Sequence, residues 1–157
     1  MKDGFCSTLI LSPPGGGKTT LLRECVRRLS DQGLRISLMD ERGEIAAVQN
    51  RTPQFDVGAN TDIMTGGQKA ACCMMLLRAM RPDVLAFDEI SAPEDIEAIR
   101  IAAGCGVALL ATAHAQSVGA LRCRTLYRAL AGRAYFPPRR VHHAQRRRAF
   151  YTLEELP

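Results

Sequence analysis

The sequence contains no apolar run near the roughly 20 residues that a membrane-spanning helix requires. Its first five residues contain no apolar signal region of the secretory type. The six cysteines form no C-x-x-C pair, so their spacing indicates neither a zinc site nor a disulfide framework. Because buried, reduced thiols are typical of cytosolic proteins, we expect a cytoplasmic protein. The absence of repeats and linkers predicts a single domain over residues 1–157.

Acidic residues are missing from one long stretch of the chain. Residues 98–153 contain ten arginines and no Asp or Glu, whereas the whole chain has a net charge of +5, so the remainder has a net charge of −5. Such asymmetry is typical of a protein with a basic face that binds nucleic acid, an acidic membrane surface or an acidic partner. The candidate nucleic-acid contacts are Arg139, Arg140, Arg146, Arg147 and Arg148. Few aromatic side chains accompany them for stacking on bases, and a solvated hairpin turn is the alternative interpretation.

Short aliphatic runs alternate with segments of helical periodicity, which is the pattern of a parallel α/β sheet. We predict strands over residues 5–11, 34–40, 84–87 and 107–112, a short strand within the loop 49–67, and late strands over 134–136 and 149–152. We predict one helix that begins at about residue 18 and ends before Gly33, and further helices over 69–80, 91–103 and 117–131. Ser91 and Glu94 have the spacing of a capping box at the third of these helices.

A glycine-rich turn joins the first predicted strand to the first predicted helix. It comprises Ser12, Pro13, Pro14, Gly15, Gly16, Gly17, Lys18, Thr19 and Thr20. Glycines let the backbone approach phosphate closely, with N–H groups directed at its oxygens. Lys18 would reach the β- and γ-phosphates of ATP, and the Thr19 hydroxyl would bind Mg²⁺. Ser12 stands where the usual motif has its first glycine, and an ordinary Gly/Pro turn before a helix is the alternative.

The strand predicted over 84–87 delivers Asp88 and Glu89 to one edge of the sheet. In phosphoryl transfer, the first acid holds the magnesium shell and the second orients and deprotonates the attacking water. An acidic turn after a strand is the alternative, which the upstream phosphate loop disfavours. The glutamate after Asp88 favours P-loop proteins with a strand inserted between the phosphate-loop strand and the Asp88 strand. We therefore predict a three-layer, RecA-like (ASCE) P-loop fold with strand order 5-1-4-3-2, in which 107–112 is the inserted strand.

Two further polar groups follow predicted strands. His114 lies just beyond the inserted strand, in the segment Thr112-Ala-His114 at the strand end, where it would face the γ-phosphate as a sensor; a structural histidine is the alternative. The second group is an acidic cluster after the second strand. There Glu41 or Glu44 would lie near the γ-phosphate as a second polarising acid, and Arg42 is the first candidate for an arginine that serves a neighbouring subunit. A solvated charged turn explains the same cluster without a function.

Five segments of the chain form a specific combination. They are I-L-S-P-P-G-G-G-K-T-T-L-L-R, D-E-R-G-E-I-A, V-G-A-N-T-D-I-M, M-R-P-D-V-L-A-F-D-E-I and T-A-H-A, over about residues 8–136. Together they resemble the stage III sporulation protein AA family, which is similar to the secretion ATPases of type II and type IV systems. The resemblance implies a Mg²⁺-dependent ATPase motor domain. It assigns site residues as follows: Lys18 and Thr19 to the phosphate loop, Asp88 and Glu89 to the second motif, His114 to a histidine element, and Glu41 and Glu44 to an acidic box.

The same resemblance implies a setting. It is a hexameric ring on the cytoplasmic side of a channel that joins mother cell and forespore, with membrane-embedded partner proteins. The sequence departs from the family at Asn60, where arginine is usual, and at Ala115, where glycine is common. The family's N-terminal domain is expected to be absent, and residues 137–157 form a divergent, arginine-rich end.

Two other functions fit parts of the sequence. A stand-alone nucleoside triphosphatase or small P-loop kinase would use the same phosphate loop, but a kinase needs a lid, and no lid is evident. A RecA-like nucleic-acid module would use the C-terminal arginines, with binding that weakens in salt. The apolar helix over 69–80 is interpreted as a core helix, with a subunit interface as the alternative.

Overall fold

The computed structural model describes residues 5–127, 141–143 and 153–154. Its strands are β1 (Thr8–Ser12), β2 (Ile36–Met39), β3 (Thr61–Met64), β4 (Val84–Phe87), β5 (Ala108–His114), β6 (Val141–His143) and β7 (Leu153–Glu154). Its helices are α1 (Lys18–Asp31), α2 (Lys69–Met80), α3 (Pro93–Gly104) and α4 (Val118–Arg122).

The strands form one sheet in the order β3-β2-β4-β5-β1-β6-β7. All neighbouring strands are parallel except β6 and β7. The predicted order 5-1-4-3-2, in which the short strand of the loop 49–67 is not counted, corresponds to β6-β1-β5-β4-β2 and is confirmed: β5 is inserted between β1 and β4, and β2 follows β4. The fifth position is taken by β6, which lies between the two late strands that were predicted. The strands predicted over 134–136 and 149–152 lie outside the described residues.

Helices cover both faces of the sheet, which gives the predicted three layers. Successive residues of a strand point to opposite faces, so each strand contributes to two cores. On one face Ile10 packs in a cluster with Leu22 and Val26 of α1. On the other face Leu11 and Phe87 belong to a cluster that includes residues of α2 and α3. Because β1, β5, β4 and β2 run parallel, their carboxyl ends lie together at one edge of the sheet, where α/β proteins bind ligands.

The start of α3 differs from its prediction. The N-cap residue is Ala92, and the Asp95 carboxylate accepts hydrogen bonds from the N–H groups of Ser91 (2.7 Å) and Ala92 (2.9 Å). The capping box predicted from Ser91 to Glu94 is therefore wrong by one residue, although Pro93 does occupy the first turn. Asp95 is 3% exposed, so a carboxylate is held inside the fold beside the end of β4.

The helix α2 is largely a core helix, as predicted. Its residues Cys72, Cys73 and Leu76 are buried, and it packs against α3. Met75 and Met80 lie on the outer side and are exposed. Within the ranges that the structure describes, no helix is both long enough and apolar enough to cross a membrane.

Candidate functional site

The turn between β1 and α1 has the backbone of a phosphate loop. Gly15 and Gly17 have φ angles of 71° and 84°, in the left-handed region that favours glycine. Gly17 is the N-cap residue of α1, and with no side chain it cannot occupy the first N–H groups of the helix. These groups, together with the positive end of the helix dipole, form a site for an anion.

Ser12 occupies the space that a side chain at Gly16 would need. An ideal Cβ placed on Gly16 would lie 1.7 Å from Ser12 Oγ and 3.1 Å from Ser12 Cβ. Ser12 is itself 1% exposed at the end of β1. The serine found in place of the motif's first glycine is therefore accommodated because residue 16 has no Cβ.

We expect Gly16→Ala to destabilise the fold by about 1–3 kcal/mol, the usual cost of overpacking. The double variant Ser12→Gly/Gly16→Ala should recover much of this loss, since the obstructing hydroxymethyl group is then gone. Chemical denaturation of the wild type, both single variants and the double variant would measure the coupling. An equal cost of Gly16→Ala in both backgrounds would contradict the contact.

Lys18 is linked through His114 to Glu89. Lys18 is 8% exposed, and its ammonium donates to the backbone oxygens of Ser12 and Pro13, both at 3.3 Å. Its Nζ lies 2.9 Å from His114 Nδ1, and His114 Nε2 lies 3.1 Å from Glu89 Oε1. With the ammonium as donor, Nδ1 accepts and Nε2–H donates to the carboxylate, which is the neutral Nε2–H tautomer. Burial lowers the pKa of Lys18, an effect that the charge of Glu89 opposes.

Asp88 lies at the carboxyl end of β4 beside Glu89. Burial raises the pKa of Asp88, while the charge of Lys69 and the backbone N–H groups of Arg42 and Glu89 act in the opposite direction. The Thr112 hydroxyl donates to the backbone oxygen of Asp88, and Thr112 in turn accepts from Ile90 N–H through its own carbonyl. The central strand β5 thereby fixes the chain on both sides of Glu89.

The phosphate loop and these acids line one cavity of about 410 Å³. Its lining residues are Pro14, Gly15, Gly17, Lys18, Thr19, Thr20, Arg42, Glu44, Ile45, Asp88, Glu89, Thr112 and His114. In size and in the convergence of its polar groups, it is the kind of cavity that takes a small-molecule ligand. Ten of the predicted site residues line it, and Ser12 and Pro13 contribute by holding Lys18 through their backbone oxygens.

The acidic cluster folds around a buried carboxylate. Asp40 is fully buried and accepts hydrogen bonds from the N–H groups of Glu44, Ile45 and Ala46, at 2.9 to 3.1 Å. The guanidinium of Arg23, from α1, donates to the backbone oxygens of Ile45 and Glu44 in the same segment. The segment 40–46, termed here the acidic loop, is therefore a defined structure and not only a solvated turn.

The two predicted acids of the acidic loop, Glu41 and Glu44, have different surroundings. Glu44 lines the cavity. Glu41 points to Lys69, with Oε2 at 2.9 Å from Nζ, and is not one of the described residues that line the cavity. Arg42 lines the cavity of its own chain, with Nη1 at 3.8 Å from Glu89 Oε2.

Sequence reasoning missed Lys69, which it treated only as the start of a helix. Lys69 is 6% exposed, and its ammonium donates to the backbone oxygen of Glu89 at 2.6 Å. Besides Glu41, two carboxylates surround it: Asp95 Oδ1 at 3.2 Å and Asp88 Oδ1 at 3.8 Å. Burial lowers the pKa of Lys69, but the hydrogen bond to Glu41 and the charges of Asp95 and Asp88 outweigh burial and raise it overall. The only available signal was a lysine at the start of a helix whose one other charged residue is Arg78.

The residues at the cavity fit Mg²⁺ held together with a nucleotide. No group of three or more His, Cys, Asp or Glu side chains within the described ranges could hold a metal ion alone. Mg²⁺ binds proteins through one or two side-chain oxygens and completes its shell with phosphate oxygens and water. Thr19 and Asp88, both at the cavity, supply that donor set.

Comparisons with known proteins identify the relatives of this chain. The sequence model of the family described as "Sporulation stage III, protein AA" matches residues 1–147. Stage III sporulation protein AA of Bacillus subtilis (strain 168) is 37% identical over 129 residues, which cover 78% of this chain and 42% of that protein. An uncharacterized protein, ycf45 of Porphyra purpurea, is 35% identical over 112 residues, or 69% of this chain and 20% of that protein. The chain thus spans less than half the length of these relatives.

Solved structures support the fold. The VirB11 ATPase of the Brucella suis type IV secretion system has a TM-score of 0.55 at 19% identity, over 80% of this chain and 35% of that chain. The pilus retraction motor PilT, solved with bound ADP, has a TM-score of 0.56 at 14% identity, over 88% of this chain and 42% of that chain. The predicted α/β, RecA-like fold is confirmed. With the family model matching nearly the whole sequence, the chain belongs to the stage III sporulation protein AA family.

Proposed function

We propose that this chain is a Mg²⁺-dependent ATPase domain that acts as the motor of a sporulation or secretion-type assembly. The observation that carries the proposal is the contact series from Lys18 through His114 to Glu89. It joins a phosphate-binding lysine to an acid suited to activate water, across a cavity that Asp88 also lines. A phosphate-binding loop without a hydrolytic role would not require this link.

ATP binding uses the loop and the start of α1. Backbone N–H groups near Gly15 and Gly17 surround the phosphates, as in other P-loops. The Lys18 ammonium exchanges the carbonyls of Ser12 and Pro13, which it contacts at 3.3 Å, for the β- and γ-phosphate oxygens. Because its hydrogen bonds to neutral carbonyls are replaced by hydrogen bonds to charged oxygens, the exchange is favourable.

Hydrolysis uses the end of β4. Thr19 and Asp88 would hold Mg²⁺, which when bound supplies positive charge against the phosphate oxygens. Glu89 orients the attacking water and accepts its proton, while His114 holds the Glu89 carboxylate through Oε1. His114 also contacts Lys18, so it is placed to sense whether Lys18 is engaged with phosphate. Glu44, at the cavity, is proposed as the second polarising acid.

The setting of this activity is inferred from the family. We propose that 1–157 is one ATPase domain in the cytoplasm, that it works in a homo-oligomeric ring of six in the longer family proteins, and that membrane-embedded proteins dock on that ring. The cleft at the carboxyl edge of the sheet is where a ring neighbour could approach the nucleotide.

Two measurements test the proposal. Calorimetric titration should detect ATP binding that requires Mg²⁺ for full affinity, and phosphate release should stop when the metal is chelated. Binding without any hydrolysis would reduce the proposal to a nucleotide-binding module. Absence of binding would overturn it.

Arg42 is expected to act on the nucleotide of its own chain. Its guanidinium lies at the cavity beside Glu89, so Arg42→Ala should bind ATP normally and hydrolyse it slowly. Loss of a transition-state arginine costs about 10³-fold or more in kcat. Mixing Arg42→Ala chains with Lys18→Ala chains should leave hydrolysis low, because neither chain holds a complete site. Recovery of activity in the mixture would instead show that Arg42 serves a neighbouring subunit.

A further inference from the structure

The three N–H donors of the Lys69 ammonium find their acceptors in three different segments of the chain. The ammonium contacts Glu41 in the acidic loop, the backbone oxygen of Glu89 after β4, and Asp95 in the first turn of α3. An ammonium has three N–H donors, so these three partners use all of them. Asp88 Oδ1, at 3.8 Å, adds a fourth interaction through charge alone.

The burial of this group makes it more than a surface ion pair. The Lys69 side chain is 5% exposed, and those of Asp88 and Asp95 are 8% and 4% exposed. Three carboxylates this close repel one another unless a cation lies among them. A buried cation with good hydrogen-bond geometry orders its partners, and its removal leaves charges unpaired.

The partners of Lys69 are the segments that carry the proposed hydrolytic residues. The acidic loop carries Arg42 and Glu44, and the end of β4 carries Asp88 and Glu89. Asp95 in turn fixes the chain after Glu89, because its carboxylate also accepts from Ser91 and Ala92 N–H. Lys69 is not one of the described residues lining the cavity, so it acts on the site only through these partners.

We propose that Lys69 is a positioning residue that holds the end of β4 and the acidic loop in register for hydrolysis. The inference rests on the ATPase function proposed above. Because Lys69 sets the direction of Glu89 through its carbonyl and leaves the phosphate loop untouched, it affects turnover and not nucleotide affinity. Misplacement of a reacting group by about 1 Å can cost on the order of 100-fold in rate.

The test compares Lys69→Met with Arg100→Met. Both replace a cation by a methionine, but Arg100 pairs with Glu97 on the surface of α3, where its side chain is 56% exposed. We expect kcat to fall by about 10- to 100-fold in Lys69→Met with KM for ATP within about threefold of the wild type, and Arg100→Met to change neither. Lys69→Arg should recover part of kcat, since it keeps the charge but not the compact geometry. A kcat within twofold of the wild type in Lys69→Met would overturn the proposal.

Amide hydrogen exchange supplies a second measurement that does not depend on activity. Lys69→Met should speed exchange in residues 40–46 and in 88–92, and leave 15–20 unchanged. Glu41→Ala removes only the half-exposed partner and should speed exchange in 40–46 alone, which keeps the test usable if Lys69→Met fails to fold. Unchanged exchange in both segments would overturn the proposal even in a protein that hydrolyses ATP. If the wild type hydrolyses none, the ATPase function fails, and the exchange pattern still decides whether Lys69 joins the two segments.

Discussion

Lys18→Ala should abolish tight ATP binding, with a rise in Kd of about 100-fold, as expected for a lost hydrogen bond between charged groups. The ammonium is held at the mouth of the loop by two backbone carbonyls and His114. It is therefore already in place before ATP arrives, and little side-chain entropy is lost on binding. Lys18 is the one cationic side chain of the loop 12–20, so without it the loop holds the phosphates chiefly through backbone N–H groups. Isothermal titration calorimetry with Mg²⁺ and ATP would measure the change.

Arg28→Ala is the matched control for that experiment. Arg28 lies on the same helix with its side chain 70% exposed, and pairs with Glu24, so the substitution also removes one positive charge. Its ATP affinity should equal that of the wild type, which separates a specific contact from a change in net charge. Thermal unfolding of both variants would check that α1 is intact. Unchanged affinity in Lys18→Ala would rule out this turn as the phosphate site.

Glu89→Gln should keep ATP binding and lose hydrolysis by about 100-fold or more, the loss expected on removal of a general base. The amide preserves the size of the side chain, which is 16% exposed between His114 and Arg42. It can still accept from His114 Nε2–H but cannot take a proton from water. Phosphate release under saturating ATP would measure kcat, and calorimetry would confirm that binding remains.

Glu41→Gln and Glu44→Gln are the comparisons that assign the base. Glu41 contacts Lys69 at 2.9 Å, and its amide would still accept that hydrogen bond, so we expect an effect below about tenfold. Glu44 lies at the cavity, and its loss should lower kcat to an intermediate degree. A larger loss in either variant than in Glu89→Gln would move the base to the acidic loop.

The fold could be predicted because local patterns determine most of it. A strand buried on both faces is a short aliphatic run, and residues 84–87 were predicted with their observed bounds. The inserted strand was expected to end at Thr112 but continues to His114, because its pairing with β1 extends to the Ser12–His114 register. Such pairing depends on a distant strand, so local sequence does not define the end of an element.

The site could be predicted where a motif combines all its residues in one segment. Lys18 and Thr19 follow from the glycine turn, and Asp88 from the strand before it. Lys69 could not be predicted, since its partners come from three separate segments that only the folded sheet brings together. The direction of Glu41 was missed for the same reason: its carboxylate is directed to the buried Lys69 ammonium and not to the cavity.

The contact between Ser12 and Gly16 constrains the order in which this sequence can change. A side chain at position 16 costs less stability once the one at position 12 has been reduced, because both would occupy the same space. The reverse order passes through an overcrowded intermediate. A lineage that starts from Ser12 and Gly16 and gains a side chain at position 16 should therefore change position 12 first. Among divergent descendants of this chain, residues 12 and 16 should covary, with at most one of them carrying a side chain.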